Sequence, residues 1–212
     1  MSHRACVAAC AAFLLAGIPA RSADPPTSQP GCLAAGNGYL RARVRGALNL
    51  DLDWKNAEMQ CEGGPRPSGN GLRVSIGGPL RSDGRRIRMV FGIAGLGEGA
   101  GGEALRTNVT ILFEGEKRLF ATQGDDKCTA DSVTQQRVET LGPGRAIYRV
   151  VARGFCLGPA TNLARTERIV LQRFDFAGRV EFGDDDRSDA RPQPDKPTPK
   201  PAQKPAQEPT TL

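Results

Sequence analysis

Residues 39–54 read Tyr-Leu-Arg-Ala-Arg-Val-Arg-Gly-Ala-Leu-Asn-Leu-Asp-Leu-Asp-Trp, and their parity decides the fold class. Leu40, Ala42, Val44, Leu48, Leu50, Leu52 and Trp54 share one parity; Arg41, Arg43, Arg45, Asn49, Asp51 and Asp53 share the other. A period of two sends the two groups to opposite faces of a β-strand, one dry and one wet. Sixteen residues make an unusually long strand, and Gly46 offers a break. With a three-residue loop, Gly46-Ala47-Leu48, Leu40 faces Trp54, Ala42 faces Leu52 and Val44 faces Leu50. Arg41 then meets Asp53 and Arg43 meets Asp51 on the wet side. A two-residue turn sets apolar against polar throughout. The matched charges favour the hairpin over one strand bent at Gly46.

Working outward, the same kind of pattern predicts strands over Leu72–Ile76, Arg86–Ile93, Asn108–Phe113, Arg118–Thr122, Cys128–Val138, Ala146–Cys156 and Ile169–Phe182, the last open to interruption near Gly178. Turn chemistry separates most of them: Gly77-Gly78-Pro79, Ser82-Asp83-Gly84, Glu114-Gly115-Glu116 and Leu141-Gly142-Pro143-Gly144. Only Ala160–Arg165 reads as a short helical turn. Many short strands with Gly-rich turns predict an all-β fold, an antiparallel β-sandwich or a closed barrel.

Six cysteines occur, of which Cys6 and Cys10 fall in an N-terminal segment with export character. It begins Met-Ser-His-Arg, continues as an apolar run from Ala5 to Ile18 too short to span a bilayer, and ends Pro19-Ala20-Arg21-Ser22. These features predict a signal peptide over 1–22, cleaved after Ser22, with Ala20 and Ala23 as alternative sites. Neither Cys10 nor Cys32 has the apolar run on the side that lipidation requires. Cys32, Cys61, Cys128 and Cys156 then remain, an even number in an oxidising compartment. Their spacing holds no Cys-x-x-Cys pair, which argues against zinc. Cys128 and Cys156 are equidistant from residue 142, so a hairpin folded there sets them opposite each other. It also sets Asp131 opposite Arg153 and Val133 opposite Val151. Cys32–Cys61 is the second pair, nearly symmetric about Gly46. Each bridge closes about 30 residues and stabilises by about 3–4 kcal/mol in the chain-entropy description.

From Ala190 to Leu212 the apolar patterning is gone, and Asp195–Pro209 is dominated by Pro, Lys and Gln. Such a composition predicts a disordered tail over 184–212, following a single domain over 23–183. That domain carries 22 basic and 17 acidic side chains, a net of +5 that comes almost entirely from Arg. The one histidine is His3, inside the predicted signal. A mature chain without His loses the usual general base and every Ser-His or Cys-His mechanism.

Each remaining constellation has a plain structural reading beside the chemical one. Gly97–Gly102 has the letters of a dinucleotide loop, yet a strand follows it where a helix N-terminus is required. Glu114 and Glu116 could flank a sugar bond, but they bracket a turn at Gly115. Asp125-Asp126 and Asp184-Asp185-Asp186 lack the spaced ligands of a calcium loop. Asn108-Val109-Thr110 matches a glycosylation sequon but reads as strand. Arg85, Arg86 and Arg88, with the Arg41/Arg43/Arg45 face, are the densest cationic features; Asp51 and Asp53 compensate the face, leaving Arg85, Arg86, Arg88 and Arg45 as candidate anion-binding residues. Interleaved aromatics for nucleic acid are missing.

In outline the chain resembles the small secreted bacterial β-sandwich proteins, without a motif that transfers a residue role from them. The expectation is a periplasmic or secreted binding or structural module without catalytic residues, cofactor, metal or transmembrane span. Its expected partner is an anionic envelope polymer or another envelope protein. A carboxylate-based hydrolase of envelope polysaccharide and a secreted enzyme inhibitor are the alternatives.

Overall fold

The computed structural model describes residues 31–183; the predicted signal peptide and tail lie outside the described residues. Eleven strands form one antiparallel sheet: β1 (Tyr39–Gly46), β2 (Leu50–Lys55), β3 (Gln60–Pro65), β4 (Gly71–Gly77), β5 (Arg86–Ala94), β6 (Gly102–Glu114), β7 (Arg118–Ala121), β8 (Cys128–Gly142), β9 (Arg145–Cys156), β10 (Ala160–Asn162) and β11 (Arg168–Phe182). The described residues include a single 3-10 turn, Asn56–Glu58, and no α-helix. Ala160–Arg165 is therefore not a helical turn. Its first three residues form β10, and the Asn162 side chain then closes a tight turn by accepting the Thr166 and Glu167 amides.

The opening hairpin has the expected register, with Leu40↔Trp54, Arg41↔Asp53, Ala42↔Leu52, Arg43↔Asp51 and Val44↔Leu50. Arg45 and Gly46 stay in the sheet beside Val170 and Ile169 of β11 instead of turning at once. β7 and β8 lie end to end along β6, and β9 and β10 lie end to end along β11. The sheet consequently folds over into two layers, β2-β1-β11-β9/β10 and β8/β7-β6-β5-β4-β3, joined by hydrogen bonds at β8–β9 and β7–β10. On the other side β3 closes against β11: a Cβ placed on Gly63 would lie 2.7 Å from the Arg179 carbonyl oxygen. The result is sandwich-like packing with one hydrogen-bonded side.

The core sits between the layers. Phe91 of β5 meets Phe174 and Phe176 of β11 at ring-centroid distances of 5.0 and 4.6 Å. Leu40, Val44, Val74, Ile76, Met89, Ile93, Val150 and Val180 have no exposed surface around them. β11 runs unbroken through Gly178. The missing side chain there admits β4, since a Cβ would come within 2.9 Å of Val74 Cγ1.

Both disulfides form as paired above, Cys32–Cys61 and Cys128–Cys156, the latter facing directly across β8 and β9. The register between the Cys pair and the turn differs from the expected one. Ser132, not Asp131, opposes Arg153, and Val133 opposes Ala152. β8 contains three extra, unpaired residues, Asp131, Val138 and Leu141, at successive register shifts, and all three are exposed. The turn accordingly falls at Pro143-Gly144, between the paired Gly142 and Arg145. Cys32 lies before β1 and outside any strand, so its bridge ties the N-terminal approach to β3 rather than crossing a hairpin. Two disulfides fit an oxidising extracellular environment, and no helix among the described residues is long and apolar enough to cross a membrane.

Candidate functional site: the outer face of β1, β11 and β9

The four arginines singled out as anion-binding candidates all have carboxylate partners. Arg88 Nε is bonded to Glu114 and its Nη1 donates to Ser75 Oγ at 3.0 Å, with Glu62 at 3.5 Å. Arg86 lies 3.4 Å from the same Glu114, and Arg85 lies 3.4 Å from Glu116. Arg45 grips Asp51 with both oxygens in reach, at 2.9 and 2.8 Å. β5 and β6 put Arg86 directly opposite Glu114, a cross-strand pairing of opposite charge that the sequence alone did not reveal. The Arg85/Arg86/Arg88 cluster is thus compensated, and Arg86 and Arg88 are mostly buried, at 15% and 17% side-chain exposure. The same contacts occupy Glu114 and Glu116, the candidate carboxylate pair.

Other candidates also resolve into local structure. Asp125 is held by a two-pronged ion pair from Arg66, at 2.9 and 3.0 Å, and by Asn108. The Arg66 hydrogen bonds, assisted by Asn108, hold its carboxyl below the usual carboxylate range. Asp126 pairs with Lys127 at 2.7 Å. The described residues contain no group of three or more side chains suited to a metal ion. Gly97–Gly101 forms the loop into β6, pinned by Gln135, whose amide donates to Gly97 and Ala100 carbonyls at 2.8 and 2.7 Å.

Arginine outnumbers carboxylate elsewhere, on the solvent face of the β2-β1-β11-β9 layer. Parity places Arg41, Arg43 and Arg45 of β1 there, with Arg173, Asp175, Arg179 and Glu181 of β11 and Arg145, Arg149 and Arg153 of β9. The register lines them up in cross-strand rows. One row reads Asp53–Arg41–Asp175–Arg153 and alternates in sign. Two other pairs oppose like charges: Arg43↔Arg173 between β1 and β11, and Arg149↔Arg179 between β9 and β11. Directly opposed like charges destabilise a sheet.

Each like-charge pair stands in an arginine-rich end of this face. At one end Arg43 and Arg45 both turn to the single carboxylate Asp51, and Arg173 has no ion-pair partner among the described residues. Arg45 chiefly holds the Asp51 carboxyl below the usual range. At the other end Arg145 and Arg179 share Glu181, while Arg149 has no ion-pair partner among the described residues. Arg149 Nε is buried without a hydrogen-bond partner, the one such side-chain atom among the described residues. A buried donor in that state is costly and marks a place where water or an anion is expected.

Between these ends the charges nearly balance. Arg41 and Lys55 face Asp53, and Asp175 accepts the Tyr39 hydroxyl at 2.8 Å. Burial, with that hydrogen bond, pushes the Tyr39 hydroxyl up, so it stays a neutral donor. An open groove of about 730 Å³ runs beside the Cys32–Cys61 bridge, and Arg86 and Arg179 are among its lining residues.

Arg149, Arg153, Arg173 and Arg179 were not singled out from the sequence. Each strand showed alternation, but the like-charge rows exist only once β11 is known to run between β1 and β9. No family model matches the chain, and the searches of curated proteins and of solved structures return no match either.

Proposed function

We propose that the protein is a non-catalytic binding module of the cell envelope, periplasmic or secreted, that holds an anionic polymer on the outer face of β1, β11 and β9. The observation that carries this reading is the pair of like-charge cross-strand contacts, Arg43↔Arg173 and Arg149↔Arg179. Arginines facing each other on neighbouring strands bring two guanidinium groups within reach of one carboxylate, sulfate or phosphate group. An anion between them offsets the repulsion of the opposed like charges. The two disulfides support an exported setting.

Affinity electrophoresis through dextran sulfate, with neutral dextran as the control, tests the reading. Migration should be altered by the sulfated polymer alone, and the effect should shrink with added salt. The variant Arg149→Ser/Arg153→Ser/Arg173→Ser should lose most of it. Equal migration in both gels, or an unchanged effect in the triple variant, would overturn the assignment.

A further inference from the structure

The two arginine-rich ends stand a defined distance apart. Arg173 and Arg179 are on one uninterrupted stretch of β11, six positions apart, and the register with β9 is continuous from Phe174 to Phe182. At about 3.3 Å per residue the two like-charge pairs are roughly 20 Å apart along the strand. Arg43↔Arg173 sits over β1–β11 and Arg149↔Arg179 over β11–β9, so the line joining them crosses the layer obliquely. The intervening rows hold Asp175, Asp53, Arg41 and Arg153, nearly neutral in sum.

Resting on the reading just given, we infer that the ligand is a linear polyanion that bridges both arginine pairs at once, rather than a small anion held at one of them. Each end has three arginines to one carboxylate: Arg43 and Arg45 pair with Asp51 while Arg173 stands opposite Arg43, and Arg145 and Arg179 pair with Glu181 while Arg149 stands opposite Arg179. Either end alone offers one anion few contacts on a partly exposed surface, where binding is weak and easily screened. A chain long enough to reach both converts the second contact into an intramolecular one, with the gain that an effective concentration gives. The oblique path fits an extended, flexible polymer of repeating oxyanions.

Linear inorganic polyphosphate provides the probe, because its length varies at constant chemistry. Binding of triphosphate and of chains of several dozen phosphates to the full chain would be measured by isothermal titration at matched total phosphate. The long chain should bind at least about 100-fold more tightly per molecule. Arg149→Ser/Arg179→Ser should remove nearly all of that advantage while leaving triphosphate binding at the other end. Arg43→Ser/Arg173→Ser should do the same from the opposite end, so a folding defect in one variant does not decide the result. Loss in proportion to charge, equal for short and long probes, would overturn bridging and leave the anion-binding face standing. No binding of either probe would overturn both.

Discussion

Changing Gly154 to Ala tests how β8, β9 and β11 are held together beneath the arginine face. Gly154 pairs with Ala130 on one side and Phe174 on the other, two residues before Cys156. A Cβ there would stand 2.0 Å from the Thr129 carbonyl oxygen, 2.7 Å from Phe174 Cζ and 2.9 Å from Ala130 Cα. Two of these three atoms are backbone on a neighbouring strand, and the Cys128–Cys156 bridge limits how far that strand can withdraw. Phe174 is 1% exposed and packed on Phe91, so its ring has no free space to enter. Overpacking usually costs about 1–3 kcal/mol, and contact with fixed backbone places this site at the upper end. Replacing Gly by Ala recovers about 0.4–1 kcal/mol through the unfolded chain. A net loss of about 2 kcal/mol remains, lowering the melting temperature by roughly 4–8 °C for a domain of this size. Urea unfolding followed by fluorescence of Trp54, the single tryptophan, reads it directly. Gly97→Ala is the control, since nothing lies within 4 Å of its Cβ position. If Gly154→Ala unfolds at the wild-type midpoint, the strand packing described for β8, β9 and β11 is wrong.

Three further outcomes follow from the ion pairs. Asp125 has a folded-state pKa lowered below 3.8, so its contribution to stability is fully present above that value and is lost as the pH falls through the folded pKa. Asp125→Asn should therefore destabilise at pH 7 and cost progressively less as the medium is acidified, whereas a constant offset across acid pH would contradict this. Arg66→Met removes both prongs from Asp125 and should cost about 1–2 kcal/mol in urea unfolding at neutral pH; an unchanged midpoint would mean the pair is idle. Arg86→Ser/Arg88→Ser should lower stability by about 1–3 kcal/mol, because Glu114 loses both partners, yet leave dextran sulfate binding unchanged. Weakened binding in a folded form of that variant would return the anion site to β5.

How far the sequence is readable depends on how local the cause is. The β1–β2 hairpin was legible because two faces and four charges over sixteen residues all favour one register. The disulfide pairing was legible too, although the geometry behind it was not. The three bulges of β8 shift the turn while leaving Cys128 facing Cys156, and nothing in the letters of Asp131, Val138 or Leu141 announces a bulge. β3 was missed because Gln-Cys-Glu-Gly-Gly-Pro shows no alternation; its place comes from pairing with β4 and closing on β11. The cationic face was half legible. Arg41, Arg43 and Arg45 stand out in sequence, but neutralisation of Arg86 by Glu114 and the rows Arg43↔Arg173 and Arg149↔Arg179 depend on strands 28 to 130 residues apart. Only long-range register decides which arginines are spare.

The most direct measurement of the central claim is a side-chain NMR titration of the arginine Nε–Hε resonances with long-chain polyphosphate. Binding at the outer face of β1, β11 and β9 predicts large shifts for Arg43, Arg173, Arg149 and Arg179, with Arg149 Nε foremost because it is buried without a partner among the described residues. Arg86 and Arg88, held by Glu114, should stay where they are. Shifts centred on Arg85, Arg86 and Arg88, or no arginine shift at saturating polyphosphate, would contradict the account.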